Sequence, residues 1–247
     1  MNANADLRRG SALPSLLMAL AIVIAAWIVA GTALQIANAR STITVTGSAR
    51  RQIRSDLVTW RASFAAQSPS LQQSYAELAS ANARVRSYLH GKGVPDSMLS
   101  IGAIQTVTFR ARLANGMETG AVSAYRLSQT VEVRSTDVDG ITMLARQATE
   151  LIQQGIELES YPPEYLYTKL PEMKVEMLAD ATRDARSRAE EMARNAGARI
   201  GRLRGARMGV FQITPAFSTQ ISDYGINDTS SLLKDITAVV SVSFELR

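Results

Sequence analysis

From Leu13 to Ala37 the chain carries no charged side chain, and Leu16 to Leu34 is almost wholly apolar. No other stretch restricts the fold as tightly. About 24 residues at about 1.5 Å each make a helix of about 36 Å, enough to cross a hydrocarbon core with some tilt. In lipid the backbone must satisfy its own hydrogen bonds, so the segment is expected as a helix. Pro14 suits its first turn, where a missing N–H costs nothing. Leu16, Leu20, Ile24, Trp27, Ile28 and Leu34 are the residues expected to meet lipid. A retained signal anchor is the favoured reading, because the run is longer than the roughly 7–15 residues of a signal-peptide core. Cleavage is the competing one: Arg8 and Arg9 form a basic leading region, and Ala37-Asn38-Ala39 fits the small-x-small pattern. A buried helix of a soluble protein is the third. The favoured organisation is a cytoplasmic tail over 1–12, a transmembrane anchor over 13–37 and one domain over 40–247 beyond the membrane. Arg40, Arg50, Arg51 and Arg54 pull the other way by the positive-inside rule, but long domains translocate largely regardless of such charges.

Composition narrows what that domain does. About 200 residues are enough for a substantial core, and 46% apolar content with both charge signs interspersed argues against long-range disorder. With no cysteine, a disulfide framework, a thiolate metal site and a cysteine nucleophile are all excluded. The net charge of +5 comes largely from arginine. A nucleic-acid binder concentrates such residues on one stripe. Here they are scattered and matched by acids four residues away, as in Asp184/Arg188, Arg186/Glu190 and Glu190/Arg194, so they read as solvated helix faces rather than a nucleic-acid surface.

After the anchor the pattern switches to period two. Ile43, Val45, Gly47 and Ala49 alternate with Thr42, Thr44, Thr46 and Ser48; then Val58, Trp60, Ala62 and Phe64 alternate with Thr59, Arg61 and Ser63. The two strands are expected to pair as a hairpin through polar Arg50–Asp56. A helix follows Pro69 and Ser70, with Leu71, Tyr75, Leu78, Val85 and Leu89 on one stripe, and stops at Gly91 and Gly93. Strand 106–113, the Asn115-Gly116 turn and a return strand carrying Tyr125, Leu127, Val131 and Val133 form a second hairpin. Asp137 or Asp139 caps a helix to Gln154, with Ile141, Leu144, Ala148, Leu151 and Ile152 inward, and Gly155 ends it. Strand 156–159, the rigid Tyr161-Pro162-Pro163 connector, a long helix from Pro171 to Asn195 and strands 203–214 and 236–246 complete the string. It reads ββαββ then αβαββ, two related halves with helices on one face, and therefore α+β.

This order, with its particular residues, resembles the SIMPL-domain family of bacterial envelope proteins. Ile43-Thr-Val-Thr-Gly-Ser-Ala49 with the Asp56 strand looks like the family's opening motif. Asp180–Ala193 running into Gly197 and Gly201 looks like its late helix-to-strand signature, and 236–246 matches in pattern and position. Arg202–Arg207 is more basic than that pattern leads one to expect. The resemblance implies a SIMPL-like, mainly antiparallel domain over 40–247 behind a single-pass inner-membrane anchor, periplasmic, and assembled as a homo-oligomer. It carries no common catalytic residue.

The residues themselves offer little chemistry. His90 ends a helix, where a positive ring complements the dipole, and its near neighbours Leu89, Gly91 and Lys92 make no site. Asp223 and Asp228 lie in the long polar loop 216–231, read as solvated rather than cation-binding. Gly91-Lys92-Gly93 lacks the rest of a phosphate loop, and Glu157 and Glu159 share a strand face without other support for sugar chemistry. No catalytic, metal or cofactor residue is therefore expected, and no small-molecule ligand is identifiable. Two groups are candidate interfaces. Tyr161, Tyr165 and Tyr167 sit beside rigid prolines, though they suit a packed connector as well. Ala181, Ala185 and Ala189 (with Ala193) form a small-residue line suited to close packing on their own sheet or on another subunit. The expected function is a non-enzymatic, membrane-tethered protein that self-assembles into a ring or cage. A ligand- or peptide-binding sensor using the groove near Tyr165 and the 216–231 loop is the first alternative, and an uncharacterised hydrolase the second.

Overall fold

A strand's alternation fixes which side chains share a face, but not which strand lies beside it. In the computed structural model, residues 12–39 and 41–247 are described, with side chains from 16–32 and from Ser41 onward. The elements are α1 (Ala12–Ala39), β1 (Thr42–Arg54), β2 (Leu57–Ser68), α2 (Leu71–Gly91), a 3-10 turn (Asp96–Met98), β3 (Leu99–Ile101), β4 (Gln105–Arg112) and β5 (Glu118–Ser135). They continue with α3 (Val138–Gln147), α4 (Glu150–Gln153), β6 (Glu157–Ser160), β7 (Glu164–Leu166), α5 (Leu170–Asn195), β8 (Ile200–Met208), β9 (Gln212–Pro215), β10 (Ile226–Asn227) and β11 (Leu233–Leu246). The chain is α+β with two mainly antiparallel sheets. It divides into two compact units. One holds residues up to Ala49 with Leu178–Gly209 and Val239–Arg247; the other holds Arg50–Met177 with Val210–Ala238.

The expected hairpin of the first two strands does not form. β1 belongs to the sheet ordered β1-β11-β9-β10, with β8 also on β11, whereas β2 belongs to β3-β5-β2-β6, with β4 on β5 and β7 on β2. Arg50–Asp56, expected as the turn, is mostly strand, because β1 runs on to Arg54. The reason lies in the two residues between the strands. Ser55 N–H donates to Leu232 O at 2.9 Å and Asp56 N–H to Leu166 O at 3.0 Å, so their donors are taken by separate segments. The Asp56 carboxylate then accepts from Thr168 N–H and Oγ1 at 2.7 and 2.8 Å, fixing the exit of β7. The two halves read from the sequence are therefore exchanged: β1 joins the late strands, and β6 and β7 join the early ones.

The larger unit is built on β2. Val58, Trp60, Ala62 and Phe64 all point inward and are no more than 1% exposed. They face the same core as Leu127, Val131 and Val133 of β5, in register with Trp60 opposite Val133 and Ala62 opposite Val131. Leu78, Val85 and Leu89 of α2, Ile141 and Leu144 of α3 and Leu151 of α4 cover that face. Helices on one face are thus observed. Trp60 satisfies its buried indole N–H on Ser160 Oγ at 3.0 Å, as a buried tryptophan must. Two expected inward residues of α2, Leu71 and Tyr75, are exposed instead; Ser74 and Ala81 take the stripe, and Ser74 Oγ donates to Tyr125 O. The helix expected from Asp137 to Gln154 is interrupted, giving α3 and α4, and Ile152 faces out. Its cap is Asp137, whose carboxylate accepts from Gly140 N–H. The 3-10 turn, β3 and β7 have no counterpart in the sequence reading, being too short to show a period.

In the smaller unit α5 lays Ala181, Ala185, Ala189 and Ala193 inward, each at most 1% exposed. Gly47 of β1 meets the first two so closely that a Cβ there would stand 2.2 Å from Ala181 O and 2.3 Å from Ala185 N. Val240, Val242 and Phe244 of β11 are buried as the alternation predicts, and β8 pairs antiparallel along them. The long strand expected over 203–214 is two, β8 and β9, parted at Gly209, whose N–H bonds Val239 O at 2.9 Å. Gly197 ends α5 at φ +72°.

Candidate functional site

Beyond Ser68, the end of β2, strand β5 loses its partner on that side: the β2–β5 ladder stops at Ser68 opposite Tyr125. Residues 118–124 of β5 then pair only with β4, and β4 pairs only with β5. The 105–124 segment is thus a ribbon whose β4 edge is unpaired throughout and whose β5 edge is unpaired over 118–124, among the described strands; at 105–108 β4 still lies on a part of β5 that holds β2. Beyond Ser68 the two-stranded part takes in the last four residues of β4, 109–112, about 13 Å of strand. Its turn is the one read from Asn115-Gly116, with Gly116 at φ +84° and Leu113 N–H on Met117 O at 2.9 Å.

The ribbon is exposed yet apolar. Val107 and Phe109, 52% and 40% exposed, share a face with Ala124, opposite Phe109. Leu113 and Met117 flank the turn, and Val122 stands across from Arg110 on the other face. Arg112 and Glu118 pair across the strands at 3.1 Å. A lone two-stranded hairpin is marginal in water, and an uncovered edge is a template for another chain. The sequence names the alternation of Val107, Phe109, Ala111 and Leu113 but not their exposure. The available signal was the second face, where Thr106, Thr108, Arg110 and Arg112 make poor core.

The tyrosine group separates on folding. Tyr165 is buried in the core: its N–H donates to Thr229 O, its O accepts from Lys234 Nζ at 2.6 Å, and its hydroxyl meets Thr142 Oγ1 at 3.1 Å. Tyr167 is half-buried, and Tyr161 is exposed. Tyr161, Pro162 and Pro163 wall an open recess of about 550 Å³ together with Arg61, Glu164 and Thr229. Arg61 and Glu164 are bonded to each other there. Ala181, Ala185 and Ala189 are buried, the first two against Gly47 of β1, so the small-residue line is spent within the chain.

Lys234 is a residue the sequence reading passed over. It is 3% exposed, and burial pulls its pKa down against the charge of Asp228. Its place two before Ile236, on the inward parity of β11, was the signal. The neighbouring Asp235 is buried too; burial works against its charged form, but Arg50 and the Phe217 N–H more than offset that and hold its carboxyl below the usual range. Asp228 behaves likewise, with Ser230, Ser231 and Lys234 offsetting burial. Asp96, held low by Arg86 and His90, gives His90 the partner at 3.1 Å that sequence proximity did not suggest. Among the carboxylates with a resolved shift, every direction is downward, toward the ionised form. Among the described residues, no group of three or more His, Asp or Glu is placed to hold a metal. Glu157 is ion-paired with Arg126.

In α1 every described side chain from Leu16 to Thr32 is exposed, including Leu16, Leu20, Ile24, Ile28 and Trp27, the last at 83%. The Leu34 side chain and residues 1–11 lie outside the described residues. Among the described residues no helix is long and apolar enough to cross a membrane. The helix backbone spans 28 residues, about 42 Å, whereas side chains are described over 16–32, about 26 Å. A helix apolar on every side suits lipid or a protein core, not water.

No curated protein matches the chain. The family SIMPL, described as a protein of unknown function (DUF541), matches over residues 43–244, from the second residue of β1 almost to the end of β11. With β1, Asp56, the alanine line of α5 and the closing strand each placed as structural members of one fold, the chain belongs to the SIMPL family.

Proposed function

We propose that this chain is a non-enzymatic, membrane-tethered envelope protein that assembles with copies of itself, α1 lying in the bilayer and the 105–124 ribbon joining subunits in the periplasm. The observation that carries the reading is the ribbon: an arm whose outer part has two free edges and which bears several exposed apolar side chains is poorly stable until something covers it. Each half-exposed Val, Leu or Phe returned to an apolar contact contributes about 1 kcal/mol. A second copy supplies both an edge to pair with and matching apolar surface. Tethering by α1 raises local concentration on the membrane, which favours modest contacts between subunits. The uniformly apolar, exposed face of α1 supports the tether.

Light scattering of the detergent-solubilised full chain tests this. An assembly of several chains at micromolar concentration is expected, and Val107→Glu with Phe109→Glu is expected to reduce it to monomers with unchanged circular dichroism. A monomeric wild-type chain, or an assembly indifferent to both charges, would overturn the proposal.

A second reading is binding of a small ligand or peptide in the recess beside Tyr161. Its volume suits such a ligand and Thr229 of the long loop lines it, although Tyr165, beside which the groove was expected, is buried and does not. The mutual pairing of Arg61 and Glu164 leaves that recess with its main charges already matched. Assembly is the better supported.

A further inference from the structure

Three strand ends of the smaller unit meet where the chain leaves α1. Ser41 follows the helix end, Ala39, by two residues, a separation of at most about 8 Å. Ser41 O accepts from Leu246 N–H at 2.9 Å, and Leu246 is in register with Ile200, the first residue of β8. Next to that pair, Arg199 and Arg247 exchange backbone hydrogen bonds of 2.7 and 2.8 Å. Two strand spacings put Arg199 laterally within about 10 Å of Ser41. The α5–β8 turn and the end of β11 therefore lie beside the point at which α1 joins the domain.

That end is rich in arginine. Arg194 and Arg199 wall one recess there, Arg199 is paired with Arg247 through the backbone, and Arg202 follows two residues after Ile200 on β8; Glu191 is bonded to Arg194, and Glu245 is shared by Arg204 and Arg247 at 3.4 and 3.7 Å. Arg199 and Arg202 have no carboxylate partner among the described residues. Gly201 leaves room for the Arg247 guanidinium to lie across β8, since a Cβ there would meet its Nε at 2.9 Å. Beside them an open recess of about 540 Å³ is walled by Arg186, Arg194, Arg199 and the 197–200 turn, with Glu190, bonded to Arg186, at its side. Guanidinium groups bind phosphate oxygens in pairs and lose less hydration than an ammonium when they do so.

We propose that this arginine-rich end is a docking face for anionic lipid headgroups, seating the domain on the bilayer from which α1 emerges. The proposal rests on the tether reading. Its special content is that the domain end, and not the helix alone, reads the charge of the membrane. Apolar α1 supplies the location and the unmatched Arg199 and Arg202 supply the charge complementarity. Arg207, also on β8, lies five residues beyond Arg202, about 16 Å farther along, past the screening length of physiological salt.

The test uses the full chain reconstituted into phosphatidylcholine vesicles with none or about a third of the lipid as phosphatidylglycerol. Hydrogen exchange over 195–204 and 244–247 is expected to slow about tenfold with the anionic lipid, and the slowing to fade when salt shortens the screening length. Arg199→Gln with Arg202→Gln is expected to remove it and each single substitution to weaken it; Arg207→Gln, which matches either single substitution in charge loss, is expected to keep it in full. Equal exchange in both lipids, or slowing that survives the double substitution, overturns the docking face while leaving the tether intact. Extraction of the wild-type chain from vesicles by alkaline carbonate overturns the tether and the docking face together.

Discussion

Gly47→Ala places one methyl group at the tightest contact in the smaller unit. The new Cβ would stand 2.2 Å from Ala181 O, 2.3 Å from Ala185 N and 2.6 Å from Ala185 Cβ. Ordinary contact requires β1 and α5 to part by about 1 Å. A gap of that size forfeits about a quarter to a half of the dispersion energy of the atoms lining it. Four alanine methyls are fully buried along that seam, each contributing about 0.8 kcal/mol in place. The separation then costs about 1 kcal/mol, and the overpacking strain about 1–3 kcal/mol more. A loss of about 2–4 kcal/mol in a domain of this size lowers Tm by about 4–16 °C. Thermal unfolding followed by circular dichroism in detergent measures it. Gly205→Ala is the control, since Gly205 has open space around its Cβ position and an ordinary φ. If Gly47→Ala melts within about 2 °C of wild type while the control does the same, the close seam is not a determinant of stability, and the reasoning from Gly47 to the alanine line fails.

Other outcomes follow from the same geometry. Asp56→Ala removes both acceptors of Thr168, and a cost of about 1–2 kcal/mol is expected in chemical denaturation; Asp56→Asn, which keeps one acceptor, is expected to lose less. The Asp235 carboxyl titrates lower folded than unfolded, so its contribution is present above the ordinary carboxylate pKa, about 4, and is lost as pH falls through the folded value. Denaturation midpoints measured between neutral pH and acid are therefore expected to fall less steeply in Asp235→Asn than in wild type.

Much of the local structure was legible before any coordinates. The period-two faces of β2 and β11, the stripe of α5, the Asn115-Gly116 turn and the stop at Gly197 all follow from side-chain alternation and glycine geometry, which act over a few residues. The failures share a cause. Period two gives β1 its faces, yet is silent on whether β2 or β11 lies alongside. The apolar stripe of α2 points in sequence to Leu71 and Tyr75, whereas Ser74, polar in sequence, is the residue that is buried, its hydroxyl donating to Tyr125 O. Lys234 was hidden for the same reason: a lysine reads as solvent-facing until a carbonyl at 2.6 Å receives it.

The apolar run over 13–37 is a property of the sequence alone, because the absence of charge there holds whatever surrounds the helix. So is the sparse chemistry: no cysteine and a single histidine are properties of composition. Only the tertiary structure decided which surfaces remain. It turned Ala181, Ala185 and Ala189 inward, the first two against Gly47, sank Tyr165 into the core, and left the outer part of the 105–124 ribbon uncovered where β2 ends at Ser68. Exposure is a property of what else arrives at a residue, and here what arrives is fixed by partners as distant as Ser41 and Leu246.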